Sequence, residues 1–146
     1  MQTFLPYPSF IKSAQALDRQ RLGKQRVECK QLLSALGWEV RDGCLVMKRP
    51  NSAWSNHPAA AMWAGYEHSL AIYQGVCILE WIRRGYNNTM DIFKPLPGGV
   101  YPDPPWLGDE AFHASHRSNL LRKDPQHYGQ FGWDDPHDLP YVWPVP

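Results

Sequence analysis

The residues best suited to bind an anion lie in a basic strip between positions 12 and 30. This strip has six basic residues against two acidic ones, Asp18 and Glu28. Because the whole chain carries a net charge of only +1, the local excess indicates an anionic ligand at one face. The predicted contacts are Arg21, Lys24 and Arg26, joined from later in the chain by Arg117, Arg122 and Lys123. The alternative is that the strip is only the solvated face of a helix.

The histidines are the candidate acid–base groups. His57, with an unperturbed pKa of about 6.5, can act as a general acid or base, or it can cap a helix. His113 and His116 lie three residues apart and His127 follows, but no fourth metal ligand is evident. We therefore predict no metal and no cofactor, and expect this group to form a polar or phosphate-contacting face.

The cysteines and the hydropathy pattern limit the class of protein. Cys29, Cys44 and Cys77 show no CxxC spacing, which argues against a disulfide framework and a zinc site and favours a reducing compartment. The sequence has no signal peptide and no apolar run of about 18 residues. We expect a cytoplasmic monomer without membrane association.

A long amphipathic segment, residues 56–86, must position these groups. Its apolar residues recur at steps of three and four, which predicts a helix. Pro58 suits the first turn, Asn56 or His57 can cap it, and Gly85 ends it. One unbroken helix over this segment would be about 40 Å long.

A second amphipathic segment carries the basic strip. Ser9 or Ser13 can cap a helix that runs to about Leu36 and ends at Gly37. Gly23 interrupts its apolar stripe, and an interior glycine costs about 1 kcal/mol against alanine. We expect a neighbouring helix or a ligand to approach the backbone closely at that point.

The remaining segments are shorter. Asp42-Gly43 predicts a hairpin turn, residues 87–107 a proline-rich loop, and residues 108–122 a helix that Pro125 stops. The last twenty residues form an aromatic, proline-rich tail that covers the core or lines a groove. The sequence thus predicts a mainly α, compact single domain over residues 1–146, with about three helices and long proline-rich loops.

Three blocks of sequence occur in the order found in one known family. They are LDRQRLGKQRVE at 17–28, NHP with the helix that ends in WIRRGY at 56–86, and SHRSNLLRKDPQHYGQFGW at 115–133. Together they resemble the phage pyrimidine-dimer DNA glycosylases, often called endonuclease V, and their bacterial and phage relatives. The blocks cover most of the chain, but not the proline-rich loop or the last dozen residues.

The resemblance implies an endonuclease V-like, mostly helical domain and a DNA glycosylase acting on duplex DNA with a damaged or modified base. In that mechanism the amine at the chain's N-terminus attacks C1′ of the sugar, the base leaves, and a Schiff base leads to β-elimination. A glutamate on the first helix assists, basic residues hold phosphates, and a histidine before the second helix lies in the site. By position, the amine is that of Met1, the histidine is His57, and the basic residues are Arg26 and Arg117. Arg122 or Lys123 extends the basic face.

Two positions differ from the family pattern. Residue 2 is Gln, whose bulk normally leaves the initiator methionine in place, so the attacking amine would be that of Met1. With Arg26-Val27 in register, the family's glutamate falls at Gly23. We assign its role to Glu28, before Asp18, although Glu28 can instead form a salt bridge with Arg21 or Lys24.

The resemblance also suggests an aromatic side chain that stacks on a flipped base. We favour Trp54, which lies outside the long helix, and then Tyr128 and Trp133. Trp63, Tyr66 and Trp81 fit the core by their spacing.

Three functions follow from these observations. The first is a DNA glycosylase, with AP lyase activity as a further possibility, whose catalytic residues are Met1, Glu28 and His57. The second is an enzyme that processes a nucleotide or modified base outside duplex DNA, which the missing glutamate favours. The third is a non-catalytic DNA-binding protein.

Overall fold

The computed structural model describes residues 1–51 and 53–144; Ser52 and the last two residues of the predicted tail, Val145 and Pro146, lie outside it. Its elements in chain order are α1 (Phe10–Ala16), α2 (Arg19–Ala35), β1 (Trp38–Arg41), β2 (Cys44–Met47), α3 (Pro58–Ala61), α4 (Glu67–Arg83), α5 (Glu110–Lys123), α6 (Pro125–Tyr128) and a 3-10 turn (Gly129–Phe131). The prediction of a mainly α fold is confirmed. The expected count of about three helices is too low for the described residues, because two predicted helices are each divided and α6 is an additional short helix.

The first predicted helix is divided at Leu17 and Asp18. Ser9 caps α1 as expected, but Leu17 adopts an extended backbone conformation. The Asp18 side chain then accepts from the Arg21 N–H and begins α2. Aspartate is among the preferred N-cap residues, so it favours a new helix start over continuation of the old helix. Leu17 is fully buried, which explains why the apolar pattern passes through the break.

The second predicted helix is divided between α3 and α4. Pro58 opens α3 and His57 caps it, but Gly65 has φ +87° and the chain changes direction before α4. A left-handed backbone conformation is incompatible with a continuous α-helix and is readily adopted by glycine. The 17 residues of α4 span only about 26 Å.

The hairpin and the last long helix agree with the sequence. Strands β1 and β2 pair antiparallel, and Asp42 and Gly43 both have positive φ, as a tight hairpin turn requires. Asp109 caps α5, and its last turn carries Arg122 and Lys123. Pro125 does more than stop α5, because it opens the short helix α6.

The centre of the molecule is the contact between α2 and α4. Their buried apolar side chains join one cluster with Trp63, Trp106 and Phe112. A Cβ at Gly23 would lie 3.1 Å from the Trp81 ring, so the predicted close approach is a helix–helix contact. Among the described residues, no helix is both long and apolar enough to cross a membrane.

Candidate active site

The first seven residues form an extended N-terminal arm that α2 holds by its side chains. The Gln2 N–H donates to Glu28 Oε2 at 3.0 Å, and the Phe4 N–H donates to Gln25 Oε1 at 2.8 Å. Gln25 also donates through Nε2 to the Gln2 carbonyl at 2.9 Å. One buried carboxamide therefore bridges residues 2 and 4 much as a neighbouring strand would.

Further along, the N-terminal arm is bound from the other side by α5. The Leu5 N–H donates to His116 Nδ1 at 2.9 Å, and the Leu5 carbonyl lies 2.7 Å from His113 Nδ1. Because the Gly108 N–H donates to His113 Nε2, the proton of that ring lies on Nδ1 and is donated to Leu5. Burial, with a smaller contribution from His113, lowers the pKa of His116 to about 3. Both histidines therefore act as neutral backbone partners.

These contacts place Met1 at a cleft of about 310 Å³, which we call the Met1 cleft. Its polar lining consists of Gln2, Gln20, Gln25, Glu28, Arg21, Lys24 and Lys123, and its aromatic lining of Phe4, Tyr141 and Trp143. An amine, a carboxylate and three cationic side chains thus share one concave surface. Such a surface suits an anionic ligand whose reacting atom lies beside the amine and the carboxylate.

His57 borders the same region. Its Nδ1 accepts from the Ala59 N–H at 3.0 Å, and its ring packs edge-on against Trp143 and Trp54, with centroid distances of 5.9 and 5.6 Å. The prediction that His57 caps a helix is confirmed, because its ring nitrogen accepts from the first turn of α3. Burial and, next, the positive charge of the Met1 ammonium lower the pKa of His57. His57 is therefore neutral near pH 7 and electrostatically coupled to Met1.

A comparison with known proteins matches residues 1–94 of the 146 to the family model described as pyrimidine dimer DNA glycosylase. The chain belongs to this family. No curated protein and no solved structure gives a significant match. The match contains the first two sequence blocks, whereas the third block, 115–133, lies beyond it and its likeness stays a prediction.

Membership of the glycosylase family raises the question of which residue takes the role of the family's glutamate, and the positions of Gly23 and Glu28 favour Glu28. Gly23, where the register placed the family's glutamate, faces Trp81 and not the Met1 cleft. Glu28 lies in the cleft and binds the backbone next to Met1. The alternative salt bridge from Glu28 to Arg21 or Lys24 does not form in the described part of the chain, where Arg21 pairs with Asp18 at 3.2 Å.

Tyr128 orders the cation side of the cleft. Its hydroxyl accepts from the Asp18 N–H at 3.1 Å and donates to the Asp18 carboxylate, which holds Arg21. Tyr128 is fully buried, so the structure does not present it for base stacking. Tyr128, the second residue predicted to stack on a base, is therefore not accessible to one. Trp133 packs parallel to Tyr128 and donates to the Tyr7 hydroxyl, whereas Trp54 is 39% exposed and remains the candidate.

Three predicted basic contacts lie outside the cleft lining. The Arg26 guanidinium lies 4.1 Å from the centre of the Trp81 ring, on the α4 side of α2. Arg117 is bound by Asp135, Glu110 and the Pro6 carbonyl, so its charge is already matched within the protein. Arg122 donates to the His137 carbonyl and to Asn119. The structure therefore brings Arg21, Lys24 and Lys123 together, without the other three.

Two lining residues had no individual signal in the sequence. Tyr141 and Trp143 lie in the aromatic tail, whose Leu139 and Val142 N–H groups donate to the Ser118 and Ser115 hydroxyls of α5. The alternative that the tail lines a groove pointed to the segment but not to these side chains. Among the described residues, no group of three or more His, Cys, Asp and Glu could hold a metal ion.

Proposed function

We propose that this protein is a DNA glycosylase with AP lyase activity, in which the Met1 amine attacks C1′ of the damaged nucleotide. Family membership implies the glycosylase activity. The observation that supports the rest is the meeting of Met1, Glu28 and three cationic side chains in the Met1 cleft. Because Glu28 lines the same cleft as Met1, it can take the role of the missing glutamate, which weakens the reason for preferring a ligand other than duplex DNA.

The reaction needs a neutral amine and a proton acceptor. The nitrogen lone pair forms a bond to C1′ while the glycosidic bond breaks, and that electron pair leaves with the base. Glu28 accepts the proton that the amine gives up. Opening of the sugar ring yields a Schiff base, and loss of a proton from C2′ then expels the 3′ phosphate by β-elimination.

The other residues of the site position the DNA. Arg21, Lys24 and Lys123 contact phosphates, and neutral His57 positions the sugar or a phosphate from the side of Trp143. Trp54 stacks on an extruded base, which repays part of the few kcal/mol that extrusion costs. Phosphate contacts release counterions, so the affinity for duplex DNA falls steeply with salt. A flat salt response would contradict the assignment of duplex DNA as the substrate.

Borohydride trapping on duplex DNA with an abasic site tests the amine mechanism, together with base release from a duplex with one pyrimidine dimer. Peptide mapping of the trapped adduct is expected to locate it on Met1. An adduct on Lys24 or Lys123, which line the same cleft, would overturn the role of Met1. If the protein neither forms an adduct nor releases a base, the proposed function is wrong.

A further inference from the structure

Gln2 is held at three of its four polar groups. Its N–H donates to Glu28, its carbonyl accepts from Gln25, and its side-chain Oε1 accepts from the Thr3 N–H at 2.9 Å. Because a backbone N–H can only donate, the side-chain oxygen must face Thr3, which fixes the position of Nε2. Residue 2 is therefore immobilised with its side-chain donor in a defined place.

The fourth group, Nε2, is buried and has no hydrogen-bond partner among the described residues. Gln2 is only 6% exposed and lines the Met1 cleft beside Met1 and Glu28. A buried donor without an acceptor costs free energy, so native proteins rarely leave one unsatisfied. For a ligand in the cleft to reach Nε2, a neighbouring side chain has to shift, and the unbranched side chain of Met1, which lines the same cleft, is suited to do so.

We propose that Gln2 Nε2 donates a hydrogen bond to the O2 carbonyl oxygen of the pyrimidine that is being removed. This inference rests on the proposed function. O2 is the carbonyl oxygen of the base closest to C1′, the atom that the Met1 amine attacks. When the glycosidic electron pair leaves with the base, negative charge spreads onto O2, so a fixed donor stabilises the transition state more than the bound substrate.

The chemistry of the cleft favours a base carbonyl over a phosphate as the acceptor. Arg21, Lys24 and Lys123 already supply cations for phosphates. A neutral amide suits an oxygen that is neutral in the substrate and becomes charged only as the bond breaks. Gln2 would therefore select pyrimidines, which carry O2, over damaged bases that lack this carbonyl.

The test compares Gln2→Met with the unaltered protein on two duplexes, one with a pyrimidine dimer and one with an abasic site. Methionine is similar in length and, like Gln, large enough to keep Met1 in place. We expect base release from the dimer to slow at least about tenfold, as for other lost transition-state donors. Trapping on abasic DNA, which has no base, should fall less than base release does, because loss of the Thr3 contact affects both reactions whereas loss of the donor affects only base release.

A second variant separates the donor from the packing. Gln2→Glu keeps an oxygen for the Thr3 N–H but places a carboxylate near O2, so base release should slow further while abasic trapping persists. If the variants release the base from the dimer as fast as the unaltered protein does, the proposal is wrong, because the reaction would then not need the hydrogen bond from Nε2. An equal loss on both duplexes would also overturn it, since that result indicates a displaced Met1. Inactivity of the unaltered protein on both duplexes would overturn the proposed function as well.

Discussion

At the scale of single residues, Glu28 and His57 share the surroundings of Met1 but are held differently. One oxygen of Glu28 is bound by the Gln2 N–H, and His57 uses Nδ1 to cap α3. Each side chain therefore keeps one polar atom, Oε1 or Nε2, for a ligand. This division lets the structural role of each residue be separated from its chemical role by conservative substitution.

Glu28→Gln removes the proton acceptor but keeps an oxygen for the Gln2 N–H. We expect the rate of adduct formation on abasic DNA to fall at least about 100-fold, the lower range for general acid–base catalysis. Single-turnover borohydride trapping measures this rate. Glu39→Gln, an equivalent change in β1 outside the cleft lining, is the control and should react normally. If both variants react alike, Glu28 has no catalytic role.

His57→Asn tests whether His57 does more than cap a helix. Asparagine is a good N-cap residue, so the free energy of unfolding should change by less than about 1 kcal/mol. Base release should nevertheless fall about tenfold or more if the imidazole positions or protonates the substrate. Thermal unfolding and base release are measured on the same sample. Full activity in this variant would reduce His57 to its capping role.

At the scale of elements, the placement of Met1 depends on Gln25 in α2. Gln25→Ala removes both bonds to the N-terminal arm, at residues 2 and 4. We expect adduct formation to fall at least about tenfold, because small displacements of reacting groups are costly. DNA affinity should hold, since the cations of the cleft are untouched.

Gln74→Ala provides a matched control for Gln25→Ala. Gln74 is also a buried glutamine, but it lies in α4 and donates to the Arg26 carbonyl of α2 and not to the arm. Loss of either glutamine should lower the free energy of unfolding by about 1–3 kcal/mol. Only the Gln25 variant should lose adduct formation. A parallel loss of activity in the two would show that stability alone limits the reaction.

The sequence identified helix ends more reliably than helix interruptions. Caps at Ser9 and His57, and the start of a helix near Asp109, were visible because they depend on a few adjacent residues. The breaks at Asp18 and Gly65 were not, since residues on both sides of each break are buried and the apolar pattern continues. The spacing of apolar residues indicates which side chains are buried. It does not distinguish one continuous helix from two consecutive helices that bury the same face.

The candidate site was predictable only in part for a related reason. The resemblance brought Met1, Glu28 and His57 forward together, and Arg21 and Lys24 were visible as local charge. The arm that carries Met1 is held by residues distant in sequence, such as His116, which binds Leu5 from 111 positions away. No periodicity in sequence records such pairings, and the same limit hid Tyr141 and Trp143.

At the scale of the whole molecule, His116 links stability to pH. Its pKa is about 3 in the folded protein and about 6.5 when unfolded, so below pH 6.5 the unfolded chain binds a proton that the folded protein does not. Stability is therefore present above pH 6.5 and is lost as the pH falls toward 3. Between pH 6.5 and 4.5 we expect a loss of about 2–3 kcal/mol from this group.

His116→Asn isolates this contribution, because asparagine keeps an acceptor for the Leu5 N–H and does not titrate. Denaturant unfolding at a series of pH values should give a shallower acid slope for the variant. His113, whose pKa burial also lowers, remains in both proteins and contributes equally to each. Identical slopes would mean that His116 is protonated without loss of the fold.

The hydrogen bonds between the N-terminal arm and α5 affect when the arm can become ordered during synthesis. The arm is synthesised well before its partners His113, His116 and Arg117, which follow more than a hundred residues later. Until they emerge, the peptide groups of Leu5 and Pro6 lack the partners that fix them. A nascent chain therefore fixes the position of the amine that we propose as the nucleophile only after α5 has emerged from the ribosome.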